Sequence, residues 1–395
     1  MAFLTIAYLS GDPHPDVLEA WSLGRTWEWG NSKHPPLMGW VVYLWMAVFR
    51  SADWSLQLLA MTNSALALFL VCGFAFAAIV HPQRRDYFGS WAPWVSTAAG
   101  LALLAPHLHW LITTGASSVQ YALYVHRGAS FGERLIEPVF FLLGLGAAMA
   151  LPAIAWLMIA GQRLRQMPKD FRALDSGLWL ILLIGVGTVI FPIVVTAVLG
   201  SDLPSLWALQ GLFLLVVPVV CAARFPVERF YPVNLVVLVL SIATVAVVVA
   251  APTHAIYRNT HPFNEGRNFY RPAVAELTRQ WHDLSDRPLP LVSGSEALAL
   301  ATAFYSADHP RYKMAWNPPD APPRATLQRG WAAMCFSSEA GCIQFLDRTA
   351  QPFVRSEFTV QSTLMGVPGV TRNVIAVIVA PDGEGNAPGN GLKSR

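Results

Sequence analysis

Residues 12–40 read DPHPDVLEAWSLGRTWEWGNSKHPPLMGW, a polar, Trp-rich stretch set between apolar sequence on both sides. Asp16 and Glu19 stand three residues apart, a spacing that places both on one face of a helix. Lys33-His34-Pro35-Pro36 follows as a turn, because paired prolines bar a helix from running backward through them, and an apolar run begins at once behind it. Trp21, Trp27, Trp29, Trp40 and Trp45 gather around the stretch, as amphipathic rings do at lipid headgroup level. The segment reads as chemistry parked at a membrane surface, with a short helix over 16–29 lying on the bilayer and a second over 36–50 dipping into it. A Trp-rich interfacial belt without chemistry has the same composition.

Composition agrees with a membrane setting. Of the 395 residues 54% are hydrophobic and 13% charged, about half the charged share of a soluble domain, and the mean hydropathy is +0.43. A net charge of +3, with basic residues scattered rather than clustered, excludes a nucleic-acid surface. Apolar runs of spanning length fall at 56–80, 93–113, 138–160, 177–199, 203–223 and 232–251, which predicts six membrane spans. The apolar opening MAFLTIAYLS is too short to span and lacks the basic flank and cleavage site of a secretory signal, so it is either the outer end of a first span or an interfacial segment.

Loop charges orient these spans. Loops 81–92, 161–176 and 224–231 carry Arg84 and Arg85, then Arg163, Arg165, Lys169 and Arg172, then Arg224 and Arg229. The alternate loops, 114–137 and 200–202, hold only Arg127 and Arg134. Basic loops stay cytoplasmic, so parity puts both the 12–40 stretch and the chain after Ala251 outside, which in a Gram-negative bacterium is the periplasm.

The chain divides accordingly into a shortened first span with an outer loop and juxtamembrane helices (1–55), a transmembrane bundle (56–251), a soluble α/β domain (252–381) and a disordered tail (382–395). In the α/β domain the pattern predicts a helix over 272–284 and a strand over 289–292. A capping box from Ser293 to Glu296 then opens a helix to Tyr305, and further strands follow at 332–336 and 374–379. Cys72 and Cys221 sit in apolar runs as packing residues. Cys335 and Cys342 either close a short disulfide loop in an exported domain or remain thiols.

Several residues carry candidate chemistry. Asp16 reads equally as a helix cap and as a carboxylate able to take a proton from a hydroxyl. Lys33 and His34 are placed to meet a lipid phosphate, although a lysine there also snorkels to headgroups without function. His107 serves as a helix cap or a substrate contact, and Arg127 and Arg134 are phosphate partners on the same outer side. Asp12, His14, Asp16 and His34 could in principle surround a divalent cation, being oxygen and nitrogen ligands within one segment, but their spacing matches no specific metal motif.

Asp16-Val17-Leu18-Glu19-Ala20 followed by Lys33-His34-Pro35-Pro36-Leu37-Met38-Gly39-Trp40 resembles family 39 of the glycosyltransferases, the polyprenyl-phosphate-sugar-dependent membrane enzymes that include aminoarabinose transferases and protein mannosyltransferases. The likeness continues more faintly through Pro106-His107-Leu108-His109-Trp110 and Gly200-Ser201-Asp202-Leu203. It implies a GT-C-like α-helical polytopic bundle with its active site on the outer face. It also implies a polyprenyl-phosphate sugar donor entering from the bilayer, and a lipid or envelope glycan acceptor. Asp16 would then be the general base, with Glu19 as its paired acid, since Val17 stands where many relatives have glutamate. Lys33 and His34 would hold the departing phosphate. The junction at Leu59-Ala60-Met61-Thr62 reads as an internal shortening, which leaves a second expectation open: an impaired family member that binds lipid-linked intermediates or a partner protein. A transporter is disfavoured, because the six runs carry no acid or base at mid-span.

Overall fold

The computed structural model describes residues 9, 11–30, 36–67, 74–113, 131–160, 165–199, 212–222, 230–261, 268–313, 329–348 and 354–381. The chain is mostly helical with a small C-terminal sheet. In chain order the helices before the tail are α1 (Pro15–Leu23), α2 (Pro36–Val48), α3 (Asp53–Ala67), α4 (Phe74–Val80), α5 (Arg84–Gly89), α6 (Ala92–Thr113), α7 (Phe131–Ala160), α8 (Met167–Arg172), α9 (Ser176–Leu199), α10 (Phe213–Ala222) and α11 (Phe230–Val245). A π-helical turn at Ala246–Ala250 joins α11 to α12 (Ala251–Thr260). The tail adds α13 (Tyr270–His282), α14 (Glu296–Tyr305), α15 (Ala340–Asp347) and strands β1 (Leu291–Gly294), β2 (Arg311–Tyr312), β3 (Trp331–Phe336), β4 (Val354–Leu364) and β5 (Val367–Val379). These elements form two compact units: a helical one of residues 28–37 and 58–242, and a mixed one of residues 1–27, 38–57 and 243–395.

Among the described residues, three helices are long and apolar enough to cross a membrane: Ala92–Thr113, Ser176–Val194 and, reaching into the mixed unit, Val236–Thr260. They coincide with three of the six expected spans. The expected 56–80 span is represented by α3 and α4, with 68–73 outside the described residues. The 138–160 span lies within the 30-residue α7, and α10 covers the end of the 203–223 span, whose first part lies outside the described residues. Leu101, Leu103, Leu104 and Ile112 of α6 are exposed, the reverse of a water-soluble helix, in which such side chains turn inward.

Helix α9 forms the core of the helical unit. Asp175 caps it, its side chain accepting from the Gly177 and Leu178 amides at 2.8 and 3.0 Å. Leu183 and Ile184 bury against Ala77 of α4 and Leu214 of α10, while Val189 and Ile193 pack with Phe141 and Leu145 of α7. Gly185 lets α10 approach closely, since a Cβ there would lie 2.7 Å from the Leu215 side chain. Two contacts relate the connecting segments. His81, after α4, lies 3.0 Å from the Ser176 carbonyl at the start of α9, so loops 81–92 and 161–176 share one end of the unit. His107 and Trp110 of α6 meet Trp29 and Gly30 of the opening stretch at its other end.

In the mixed unit the sheet order is β2-β1-β3-β5-β4; β1 runs parallel to β2 and β3, and β5 is antiparallel to both β3 and β4. Every residue of β3 is buried, as in a strand covered on both faces. Trp331, Ala333 and Cys335 face α15, packing with Cys342 and Leu346, and a disulfide joins Cys335 to Cys342. The alternate residues face the other way, where Phe336 meets Phe269 edge-on. There α13 buries Tyr270, Ala273, Val274, Leu277 and Trp281, the apolar stripe of an amphipathic helix.

Helix α14 is buried on nearly all sides, because α13 and β1 cover one part of it and α1 covers another. Trp21 of α1 packs edge-on against Phe304 at 4.9 Å, and Arg25 donates to the Pro310 carbonyl at 2.9 Å. Residues 12–27 of the opening stretch, expected as a separate outer loop, are thus an integral layer of the α/β unit. The first helix of the stretch stops at Leu23 rather than 29, because Gly24 bonds back to Ala20 and packs on Val42 of α2. Trp27 then stacks on Trp40 at 5.0 Å.

Two further expectations are revised. Ser293 belongs to β1 and donates to the Lys313 carbonyl, so no Ser293–Glu296 capping box forms; Ser295 occupies the cap position and donates instead to Glu339. The last apolar helix does not stop at 251 but continues through α12 to Thr260, carrying the chain from the apolar run directly into the α/β unit.

Candidate functional site

The opening stretch distributes its acids unequally. Pro15 begins α1, and His14 caps it, Nδ1 accepting the Asp16 amide at 3.3 Å. The same nitrogen lies 3.3 Å from Asp16 Oδ2. Asp16 projects outward with 81% of its side chain exposed, whereas Glu19, one turn further on, is buried along with Leu18 and Trp21. The predicted pair therefore does not share an exposed face. Lys33, His34 and Arg127 lie outside the described residues; Arg134 lies on α7, in the turn whose side chains are outside them. In the helical unit, His107 is buried, and its Nδ1–H donates to the Trp29 carbonyl at 3.2 Å while its ring stacks near Trp110.

A different cluster forms in the mixed unit. Arg271, on the first turn of α13, donates from Nε to Asp12 Oδ1 at 2.9 Å and from Nη2 to Asp53 Oδ2. The Tyr305 hydroxyl, at the end of α14, shares its proton between Asp12 Oδ1 at 3.3 Å and Asp53 Oδ1 at 3.2 Å. The Arg271 guanidinium also lies over the Tyr305 ring, 4.5 Å from its centroid. Burial pushes the Asp12 carboxyl above its ordinary value, although Arg271 pulls it down. For Arg271, burial favours the neutral form, but the Asp53 and Asp12 carboxylates hold the guanidinium charged. Burial, with Asp12 and Asp53 nearby, pushes the Tyr305 hydroxyl up, so it remains a donor.

This cluster borders a cavity of about 510 Å³. Its polar lining includes Asp12, Asp53, Arg258, Asn259, Asn268 and Arg271, with Thr363 at the rim. Leu9, Trp54, Ala255, Leu364 and Met365 supply apolar surface. Arg258 donates to Asn268 Oδ1 at 2.6 Å, and Gly11, at φ +76°, allows the backbone to pass this guanidinium, since a Cβ there would lie 2.2 Å from Nη2. The β4–β5 hairpin closes another side: Ser362 donates to Asn259 Oδ1 at 2.9 Å, and Asn259 donates to the Val367 carbonyl at 3.3 Å.

Among the described residues no three of His, Cys, Asp and Glu gather as a metal site. Of the four proposed cation ligands, Asp12 is bonded to Arg271 and Tyr305, His14 caps α1, Asp16 is exposed, and His34 lies outside the described residues. Asp53, Arg271 and Tyr305 are functional candidates that the reading of the sequence missed. A usable signal was Arg271 itself, a cation immediately before Pro272 at the start of an amphipathic helix. Comparison with family models, curated proteins and solved structures returns no match for this chain.

Proposed function

We propose that this chain is a multi-pass membrane glycosyltransferase of GT-C type that moves a sugar from polyprenyl phosphate to a lipid or envelope glycan on the outer face of a bacterial inner membrane. The observation that carries the reading is the placement of Asp16: it is open to solvent on a helix whose other side is locked to α14 through Trp21 and Phe304. A general base must reach a diffusing hydroxyl yet be held still, and Asp16 meets both requirements, whereas Asp12 and Glu19 are buried. In the reaction Asp16 takes the acceptor proton, the acceptor oxygen bonds to the anomeric carbon, and the sugar–phosphate bond breaks with its electrons leaving on polyprenyl phosphate. Lys33 and His34 receive that anion.

Three apolar helices support the membrane setting, and the Cys335–Cys342 disulfide supports an oxidising compartment for the α/β unit. The contacts of His81 with Ser176 and of Trp29 with His107 agree with loop charges that put 81–92 and 161–176 inside and the opening stretch outside.

A second reading, binding of lipid-linked intermediates without turnover, is favoured by one observation: the 510 Å³ cavity is lined by Asp12 and Asp53 and not by Asp16. Transfer from a radiolabelled polyprenyl-phosphate sugar by the purified protein decides between them. Asp16→Asn is expected to lower turnover by about 10²–10⁴-fold with donor binding retained. Donor binding by the wild type without any transfer would establish the second reading, and full turnover by the variant would remove Asp16 from the mechanism.

A further inference from the structure

The cavity's position along α12 says what kind of molecule can enter it. The apolar run of this helix ends near Ala251. Ala255, on the cavity wall, is four residues further on, an axial rise of about 6 Å. The headgroup layer on each side of a hydrocarbon core is about 5–7 Å thick, so this wall lies within it when α11–α12 crosses the bilayer. One turn beyond, the same helix presents Arg258 and Asn259 to the cavity. Along this helix the lining thus changes from apolar within the headgroup layer to charged at its aqueous edge, about 10–12 Å past Ala251.

The hairpin extends the apolar side. Met365 and Gly366, at φ 51° and 83°, make the tight turn, and Met365 and Val367 are exposed at its tip. Its bonds to Asn259 hold the hairpin against α12. Gly369 allows that approach, since a Cβ there would lie 2.1 Å from the Asn259 carbonyl.

The charged side carries both signs. Arg258 and Arg271 offer guanidinium donors, the usual partners of a lipid phosphate. Two carboxylates share the Arg271 guanidinium, and Asp53 retains acceptor capacity beyond its bonds from Arg271 and Tyr305. A bare phosphate monoester, which is anionic throughout, meets two aspartates here. A headgroup carrying an ammonium beyond its phosphate meets complementary charge at both ends.

We infer that this cavity is a binding site for an aminophospholipid, with the phosphate on Arg258 and Arg271, the ammonium on Asp53 and Asp12, and the acyl chains leaving past Trp54, Leu364 and Met365. The inference rests on the membrane reading of α11–α12 and not on sugar transfer.

The test is native mass spectrometry of the full-length protein in detergent, after delipidation and titration with phosphatidylethanolamine, phosphatidylglycerol, diacylglycerol or undecaprenyl phosphate. The expected result is one phosphatidylethanolamine retained at least about tenfold more tightly than each of the others. Asp53→Asn should abolish the preference over phosphatidylglycerol while leaving thermal unfolding close to wild type, and Thr363→Trp, at an exposed position on the cavity rim, should block retention altogether. Equal retention of diacylglycerol or phosphatidylglycerol, preference for undecaprenyl phosphate, or an unchanged lipid profile in both variants would overturn the assignment. Sugar transfer could persist in every one of those outcomes, so failure here leaves the proposed reaction standing.

Discussion

Arg271 Nε donates to Asp12 Oδ1 at 2.9 Å across 259 residues of sequence, and this bond ties the opening stretch to the first helix of the α/β domain. Asp12 is nearly inaccessible, whereas more than half of the Arg271 side chain is exposed. Removing the cation therefore strands a buried carboxylate, while removing the carboxylate leaves an arginine that water can still solvate. Arg271→Gln should destabilise the protein by about 1–3 kcal/mol, the range for a buried acceptor losing its charged donor, and Asp12→Asn by less. The double variant should lose less than the sum of the two, because the groups act as a pair. Unfolding midpoints of the four proteins in one detergent check this, and strict additivity would show that the bond contributes nothing.

The pH dependence of that site has a defined sign. Burial raises the folded-state value of Asp12, so the native protein binds more protons than the unfolded chain just above pH 3.8, the ordinary carboxylate value. The associated stability is fully present below that pH and is lost as pH rises through the raised value. Asn mimics the protonated carboxyl at all pH values. The stability of wild type relative to Asp12→Asn should therefore be greatest near pH 3.5 and decline toward neutrality. Glu276 runs oppositely: hydrogen bonding from Arg279 lowers its value, so its contribution appears above pH 4.5 and is lost on acidification. Paired unfolding series with Asp12→Asn and Glu276→Gln separate the two slopes.

The Cys335–Cys342 bridge joins the central strand to α15 across seven residues of sequence separation. Closing so short a loop stabilises the folded chain by about 2 kcal/mol through the entropy removed from the unfolded state. Cys342→Ser should lower the unfolding midpoint, and dithiothreitol should lower that of the wild type without further effect on the variant. A reductant-insensitive wild type would mean that the bridge is absent from the folded protein.

Much of the α/β fold was readable because its buried strands are apolar runs: Leu291–Val292, Ala332–Phe336 and Val374–Val379 each stand out between polar neighbours. Strand β4 escaped because Val354–Leu364 is a sheet edge whose residues are mostly exposed or half-buried, so no apolar run marks it. The π-turn at Ala246–Ala250 and the continuation into α12 were hidden by a change of composition that the backbone simply carries through. At the site, Asp16 could be placed on a first helical turn because Pro15 announces it. Nothing local connects Asp12 to Asp53, Arg271 and Tyr305, since their meeting depends on α1, α3, α13 and α14 packing in three dimensions. Periodicity reports which face of an element is buried, not which distant element covers it.

Membrane orientation can be tested at positions the fold leaves accessible. Glu28 is exposed in the opening stretch, near the Trp29 carbonyl that His107 engages, and Gln166 is exposed before α8 in the basic 161–176 loop. With Cys72 and Cys221 replaced by alanine, the remaining native cysteines are held in the disulfide, so a cysteine introduced at either position is the reactive one. A membrane-impermeant maleimide applied to intact cells with an opened outer membrane should label Glu28→Cys and spare Gln166→Cys, which should react only after lysis. The reverse pattern would invert the protein, put the disulfide-bearing unit in a reducing compartment and take Asp16 away from any outer-face acceptor. Labelling of both in intact cells would mean that an odd number of crossings does not separate them, and the charge asymmetry of the loops would then need a cause other than the cytoplasmic retention of basic residues.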